Sequence, residues 1–584
     1  MRKIPKTLRG HLLILLGLAA LIVVMTFPTA ARVFDSDTFW IPTGDQADAW
    51  MKFWDAWYAG LVLRGEADMQ RTDLLFYPQG LSLTFHNFSI AHMLLLGGLG
   101  SFMPASNAFN LVFLLIIFGV SCASYLYFHY LFKDKWIALL STIVFSMSPF
   151  VLGHAQHPDV GFIATIPLSL YFLHRGLLES RHRLVALSAA ITGITAYIGL
   201  YIFVCLCITV FMYMLYFAAA HWRDRRFQVS SALFILLALA CSLPRIYPML
   251  QSREAFADAM QKTLGPGRGS DVVEYFVNVR HPILEPVYHQ LFQLEDAGLE
   301  LLNTSYLGYT VLILIIAGLA LPRYRRLMVP WLILICPFLL LRLGSILTIG
   351  GRQHPNIPLP KRFLDALVPG VFEGFHTSDH FQMGVLLPLA VLAGYGVLAL
   401  RHRLSARHRP ALALICMALI ACEYYQPIEA RIVPKEQLAF LETLNGEPGS
   451  IRIINAPFGR GNSKNYLLYQ TFNGFPQVEG LISRTPASAY DYIDANPILS
   501  EWRRNRDVFC SDEYMDGFEV SVDIFLEAID DLENDGFSHV VFHPNLGHGF
   551  SIRKSFEAAE PIYSDAYVSI YRLSNLRASC PGRA

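Results

Sequence analysis

Eleven stretches of this chain are apolar over close to the length that crosses a bilayer: 12–27, 108–131, 136–153, 160–174, 184–200, 201–220, 229–249, 305–321, 327–347, 380–400 and 410–427. Their recurrence restricts the chain to a mainly α polytopic bundle of about eleven helices. Composition agrees. Of 584 residues, 54% are hydrophobic and only 16% charged, and the mean hydropathy is +0.40; a soluble chain of this size is less apolar. The formal net charge is zero, which gives no footing for a nucleic-acid partner. The pair 184–200 and 201–220 fits two spans better than one long helix. The stretch 90–103 is apolar but short and Gly-rich, and is expected to be re-entrant or interfacial.

The first apolar run follows Arg2, Lys3, Lys6 and Arg9, as a secretory signal would. Its length, and the poor cleavage site at 27–32, favour a retained helix. With the N-terminus inside, every inside connection is basic: 133–135, 174–183, 223–226, 322–326 and 401–409. The positive-inside rule then puts the C-terminus outside the cytoplasmic (inner) membrane. A single span at 184–220 would invert everything after it and break that pattern.

The first outer stretch, 34–89, is far less apolar than its neighbours. It carries Asp35, Asp37, Asp45, Asp48 and Asp55 among Trp40, Trp50, Trp54 and Trp57. Thr43 and Gln46 fit a capping box at a helix start. The helix after it sets Trp50, Trp54, Trp57 and Leu61 on one side, a pattern expected to lie flat at the membrane interface. Asp45 and Asp48 share a face near the helix N-terminus, where carboxylates are favoured. That reading puts two acids at head-group depth.

From about 428 the chain changes character. Charge and turn residues rise. Helix-like stretches at 434–444 and 522–533 alternate with strand-like ones at 451–455, 539–543 and 566–571. The expected division is a membrane domain over 1–427, its first outer loop at 34–107 carrying the acidic site, and an extracytoplasmic α/β domain over 428–584. Of nine Cys, only Cys510 and Cys580 fall outside apolar spans, and an oxidising compartment would let them pair. No phosphate-binding loop, dinucleotide fingerprint or HExxH is present. Sugar or phosphoryl chemistry outside would need a donor carried by a lipid.

Three short motifs carry a resemblance: Gly44-Asp45-Gln46-Ala47-Asp48 followed by Trp50 and Trp54; Phe76-Tyr77-Pro78-Gln79-Gly80-Leu81 followed by His86; and Gly153-His154-Ala155-Gln156-His157-Pro158-Asp159 after a span. With one span, a long acidic outer loop, about ten further spans and an outer domain, the chain resembles the GT-C superfamily of integral membrane glycosyltransferases. It is similar in particular to the bacterial branch of YfhO-like and ArnT-type proteins. The resemblance implies a polyprenyl-phosphate sugar donor, a glycan, lipid or protein acceptor at the bilayer, and an acid of the first outer loop as general base. By position that acid is Asp45, with Asp48 second. One departure stands out. Where relatives often carry an Arg-rich segment before a late span, this chain reads Phe375-His376-Thr377-Ser378-Asp379-His380-Phe381; if that Arg holds the phosphate in relatives, another cation does so here or the activity is altered.

The chemistry sets the same demands. An acceptor hydroxyl is a poor nucleophile until a carboxylate takes its proton. The leaving phosphate needs a cation or a metal. Arg245 and Arg342, near span ends, are candidates for function or for snorkelling to the interface. His154, His157 and Asp159 are either ligands for a divalent metal ion or a satisfied polar turn. His86, His376 and Asp379 complete the candidate substrate-binding set. A lipid-linked glycan flippase and a catalytically silent cell-envelope assembly protein are the alternatives.

Overall fold

The computed structural model describes residues 6–35, 38–40, 46–154, 157–252, 269–292, 305–367, 378–428, 430–433, 435–508, 510 and 521–580. The described residues form two compact units. Those within Met1–Thr43, Phe88–Gln251 and Leu264–Arg431 make the first, and those within Gly44–Asn87, Ser252–Thr263 and Ile432–Ala584 the second.

The first unit is a helix bundle. Each of the eleven apolar stretches contains a helix: Lys6–Met25, Ala105–Phe132, Lys135–Ser146 continued by Pro149–Gly153, Thr165–Leu178, His182–Ile194, Leu200–His221, Arg225–Gln251, Tyr309–Leu319, Pro322–Arg342, Gln382–Arg401 and Arg409–Tyr424. Among the described residues, six helical stretches are long and apolar enough to cross a membrane. The 184–220 region is two helices, and the 90–103 stretch holds a short one, Ile90–Gly100.

Gln382–Arg401 is buried on nearly every face, as expected of a helix apolar all round. Helices meet through small and hydroxylated residues, the usual contact where lipid is as apolar as the partner helix. Ser169 Oγ lies 2.9 Å from Ser188 Oγ and 2.8 Å from Thr192 Oγ1. Ser141 donates to the Ala390 carbonyl at 2.9 Å. At Gly396 a Cβ would run into the Leu314 carbonyl. At the basic end, Asp134 caps Lys135–Ser146 and pairs with Arg401.

The second unit is α/β. Its sheet runs Ile453–Ala456, His539–Phe542, Ser569–Arg572, Tyr563–Ser564; the first pair is parallel and the others antiparallel. Phe440, Leu444, Ile453, Val541 and Ile570 form its core. Cys510 and Cys580 are disulfide-bonded.

Two expectations for the first outer loop need correction. The described residues within 46–87 cluster with those of the C-terminal segment rather than with the helix bundle. The Trp helix, Gln46–Leu63, is not an exposed interfacial helix: Trp50 is 2% exposed and Trp54 0%. The apolar face that suggested a membrane surface packs on Arg460–Asn473, a helix the sequence reading did not anticipate. Trp54 stacks on Tyr58 with ring centroids 4.6 Å apart. Behind it, Lys52, Asp55 and His86 form a buried polar set. His86 Nε2 meets Asp55 Oδ1 at 2.5 Å, its Nδ1 accepts the Ser483 amide at 3.1 Å, and Lys52 donates to the Asn87 carbonyl at 2.7 Å.

The stretch 76–81 docks in the same unit. Phe76 packs edge-on against Tyr490, and Tyr77 against Phe537. Gly80 has φ +67°, and a Cβ there would strike the Asp73 side chain and the Thr72 carbonyl. Glycine is thus required twice over, by backbone conformation and by space.

Candidate functional site

Polar side chains gather in the first unit where several apolar helices end. Arg342 is the last residue of Pro322–Arg342 and is fully buried. Its guanidinium spreads over four partners: Ser270 Oγ at 3.2 Å, Gln382 Oε1 at 2.5 Å, Ser305 Oγ, and Glu274 Oε2 at 3.8 Å. The Tyr275 ring lies 5.7 Å from it.

Glu274 is placed by a capping box. Asp271 opens the short helix Val272–Tyr275, and the Glu274 side chain reaches back to the Asp271 amide. Asp271 also takes the Gly350 and Gly351 amides at 3.0 and 2.7 Å, which ties the turn of the hairpin Ile346–Ile349/Arg352–Pro358 to this loop. Glu274 Oε2 accepts from Ser305 Oγ at 2.6 Å. Burial raises its pKa, against the pull of Arg342 and these hydrogen bonds.

Asp379 joins this group to a set of imidazoles, acting electrostatically on both Glu274 and His154. Its Oδ1 lies 3.0 Å from His380 Nδ1. The His380 ring sits 4.2 Å from Tyr201 and 6.2 Å from His154, which is 6.2 Å from His157. His154 is buried at the end of its helix, with Nδ1 donating to the Phe150 carbonyl at 2.5 Å; burial pushes its pKa down to about 3. It is therefore a neutral ring with Nε2 as acceptor.

Of the residues named from sequence, the structure thus brings together Arg342, Asp379, His154 and His157. Arg342 is not an open phosphate ligand: it has no exposure, and its donors are spent on the protein. Asp48 lies in the second unit, paired with Lys464 at 2.7 Å. His86 is enclosed in the same unit with both ring nitrogens engaged, so its place is structural. Arg245 is half-buried in Arg225–Gln251, within electrostatic range of Tyr197. Asp45 and His376 lie outside the described residues, as does the side chain of Asp159. Among the described residues no group of three or more His, Cys, Asp or Glu is arranged to hold a metal ion.

Sequence reasoning passed over Glu274, Ser305, Gln382 and Tyr201. It quoted His380 without giving it a role. The Asp-x-x-Glu pattern at 271–274 was the available signal for Glu274; the others come from separate helices and loops and carry none.

Residues 92–365, just under half of the chain, match the model of a family described as "6-pyruvoyl-tetrahydropterin synthase related domain; membrane protein". No curated protein matches the chain. Among solved structures, the arabinofuranosyltransferase AftD from Mycobacteria is similar with a TM-score of 0.55 at 15% identity, over 96% of this chain and 40% of that one. ArnT from Cupriavidus metallidurans, bound to undecaprenyl phosphate, is similar with a TM-score of 0.50 at 10% identity, over 98% of this chain and 99% of that one. The chain therefore spans well under half the length of AftD and nearly the whole of ArnT. Its fold is similar to those of AftD and ArnT, and among the described residues six helical stretches are long and apolar enough to cross a membrane.

Proposed function

We propose that this chain is a membrane glycosyltransferase that moves a sugar from a polyprenyl-phosphate donor to a glycan, lipid or protein acceptor on the outer face of the inner membrane. The observation that carries the reading is the Asp379–His380 pair beside Arg342, Glu274, His154 and His157, a polar cluster at helix ends in a GT-C fold. Ionisable groups buried at span ends are costly and commonly mark substrate sites. The disulfide supports an oxidising, non-cytosolic setting for the second unit.

In this reading His380, beside Asp379, turns an imidazole N–H toward the donor phosphate as the glycosyl bond breaks. Arg342 supplies charge from behind and fixes Gln382, Ser270 and Ser305 in place. Asp45 takes the proton of the acceptor hydroxyl, a role that rests on the GT-C resemblance. Asp48, oriented by Lys464, helps align the acceptor.

The test is transfer of sugar from a polyprenyl-phosphate donor in proteoliposomes. Asp45→Asn is expected to lower the rate by about 10²–10⁴ with insertion unchanged. Asp48→Asn is expected to lose less. Near wild-type transfer by Asp45→Asn would remove Asp45 from the reaction. A wild type that uses no lipid-linked donor, yet moves a lipid-linked glycan across the bilayer, would replace the transferase reading with a flippase.

A further inference from the structure

Helix Pro322–Arg342 connects two different polar environments. Arg342 ends it in the cluster described above. Sixteen residues earlier, about 24 Å along the axis at 1.5 Å per residue, Arg326 stands at its basic end. There a groove of about 500 Å³ opens between helices, walled by Leu131, Tyr213, Tyr216, Trp331 and Tyr395, with His174 and Arg326 also lining it.

Three features make this more than a generic lipid-facing surface. Among the described residues, Arg326 is the one formally charged residue lining the groove, and no carboxylate lines it. Arg326 is exposed and has no ion pair or hydrogen bond among the described residues, so its charge is not neutralised by the protein. By contrast Arg175, at the same end of the bundle, is engaged by Glu179 at 2.9 Å and by Tyr171. Third, the wall is ordered by its own polar contacts: the Tyr213 hydroxyl and His174 Nδ1 share a hydrogen bond of 2.6 Å, and the Tyr213 ring leans on Trp331 at 6.2 Å. The result is a fixed apolar slot with an unopposed guanidinium at its mouth. Its volume falls within the range of small-molecule sites.

We propose that this groove binds one anionic glycerophospholipid, with its phosphate on Arg326 and an acyl chain along Tyr213, Trp331 and Leu334. Basic pockets between helices at the basic face of a membrane protein suit such head groups. The groove lies at the far end of the helix from the candidate reaction site, and the proposal does not depend on the transferase reading.

Native mass spectrometry of the full-length protein, equilibrated with equal phosphatidylglycerol and phosphatidylcholine, tests it. The wild type is expected to retain phosphatidylglycerol preferentially. Arg326→Gln is expected to lower that retention about fivefold, the weight of one basic residue at a lipid surface. Arg326→Lys should restore most of it. Arg403→Gln, which removes an exposed charge at the same basic end outside the groove, should change little. Equal retention of the two lipids, an Arg326→Gln protein indistinguishable from wild type, or an equal loss in Arg403→Gln would overturn the proposal. So would displacement of phosphatidylglycerol by undecaprenyl phosphate added in equal amount, which would give the groove to a substrate lipid.

Discussion

Trp54 donates its indole N–H to Gln470 Oε1 at 2.7 Å, joining residues 416 positions apart. Gln470 in turn donates to the Leu74 and Phe475 carbonyls at 2.8 and 2.7 Å. One amide therefore holds the Trp helix, the stretch around Leu74 and the helix Arg460–Asn473 in register. Removing Trp54 opens a large void in a fully buried position. Trp54→Ala is expected to cost about 3–5 kcal/mol. Trp54→Phe keeps most of the volume and strands the Gln470 oxygen, at about 1–3 kcal/mol. Thermal unfolding of the purified full-length protein checks both. An unchanged midpoint for both variants, with weaker membrane partition instead, would mean the helix is an interfacial anchor after all.

Glu479 gives the second unit a pH dependence. It is fully buried, accepts from Ser463 Oγ at 2.6 Å and the Gly459 amide at 3.0 Å, and burial pushes its pKa up to about 7. Between the unfolded value near 4.5 and about 7, the folded chain binds a proton that the unfolded chain has released. Stability from this group is therefore complete below about pH 4.5 and is lost as pH rises to about 7. The span is worth roughly 3 kcal/mol. Glu479→Gln keeps an acceptor for both partners without the ionisation. Its unfolding midpoint is expected to vary less with pH over that window than that of the wild type. Parallel pH curves for the two proteins would show that Glu479 is not the titrating group.

The bond between Cys510 and Cys580 closes a separation of 70 residues. Its loss is expected to destabilise by about 2–5 kcal/mol. Mass analysis of alkylated protein, kept oxidised and without reductant, should show neither cysteine modified. Cys510→Ser should lower the unfolding midpoint, and reductant should then have no further effect. Alkylation at Cys510 and Cys580 in the oxidised protein would contradict the pairing.

The bundle was legible because membrane helices announce themselves locally: each must satisfy its backbone within its own apolar run. The strands 453–456, 539–542 and 569–572 were legible for a similar reason, as short apolar runs between turn residues. The Trp helix was misplaced because an apolar face states only that it is buried, not in what. Trp50 and Trp54 look the same facing lipid as facing Arg460–Asn473. The candidate site was half legible. Arg342 stood out as a charge near a span end, and Asp379 through a motif departure. What Arg342 touches depends on Ser270, Ser305 and Gln382, ordinary residues drawn together by tertiary packing. Their spacing in the sequence says nothing of that meeting.

The roles given to Arg342 and His380 separate by experiment. Arg342 is fully buried with its donors committed, so removing it leaves Glu274 without its cation in a dry setting. Such losses typically cost 3–5 kcal/mol. Arg342→Gln is expected to lower the unfolding midpoint strongly, with transfer falling along with the folded fraction. His380 is partly exposed and bound to Asp379, so His380→Gln should fold with a midpoint close to wild type. Transfer by the folded His380→Gln protein should nevertheless fall by about 10²–10³, the range for losing one positioned electrostatic donor. An unchanged unfolding midpoint beside the lost transfer distinguishes this from a packing effect. If His380→Gln retains wild-type transfer, the phosphate is met elsewhere, and Arg245 becomes the cation to test. If Arg342→Gln folds normally and loses transfer alone, Arg342 reaches the donor directly, and the buried set seen here opens when substrate binds.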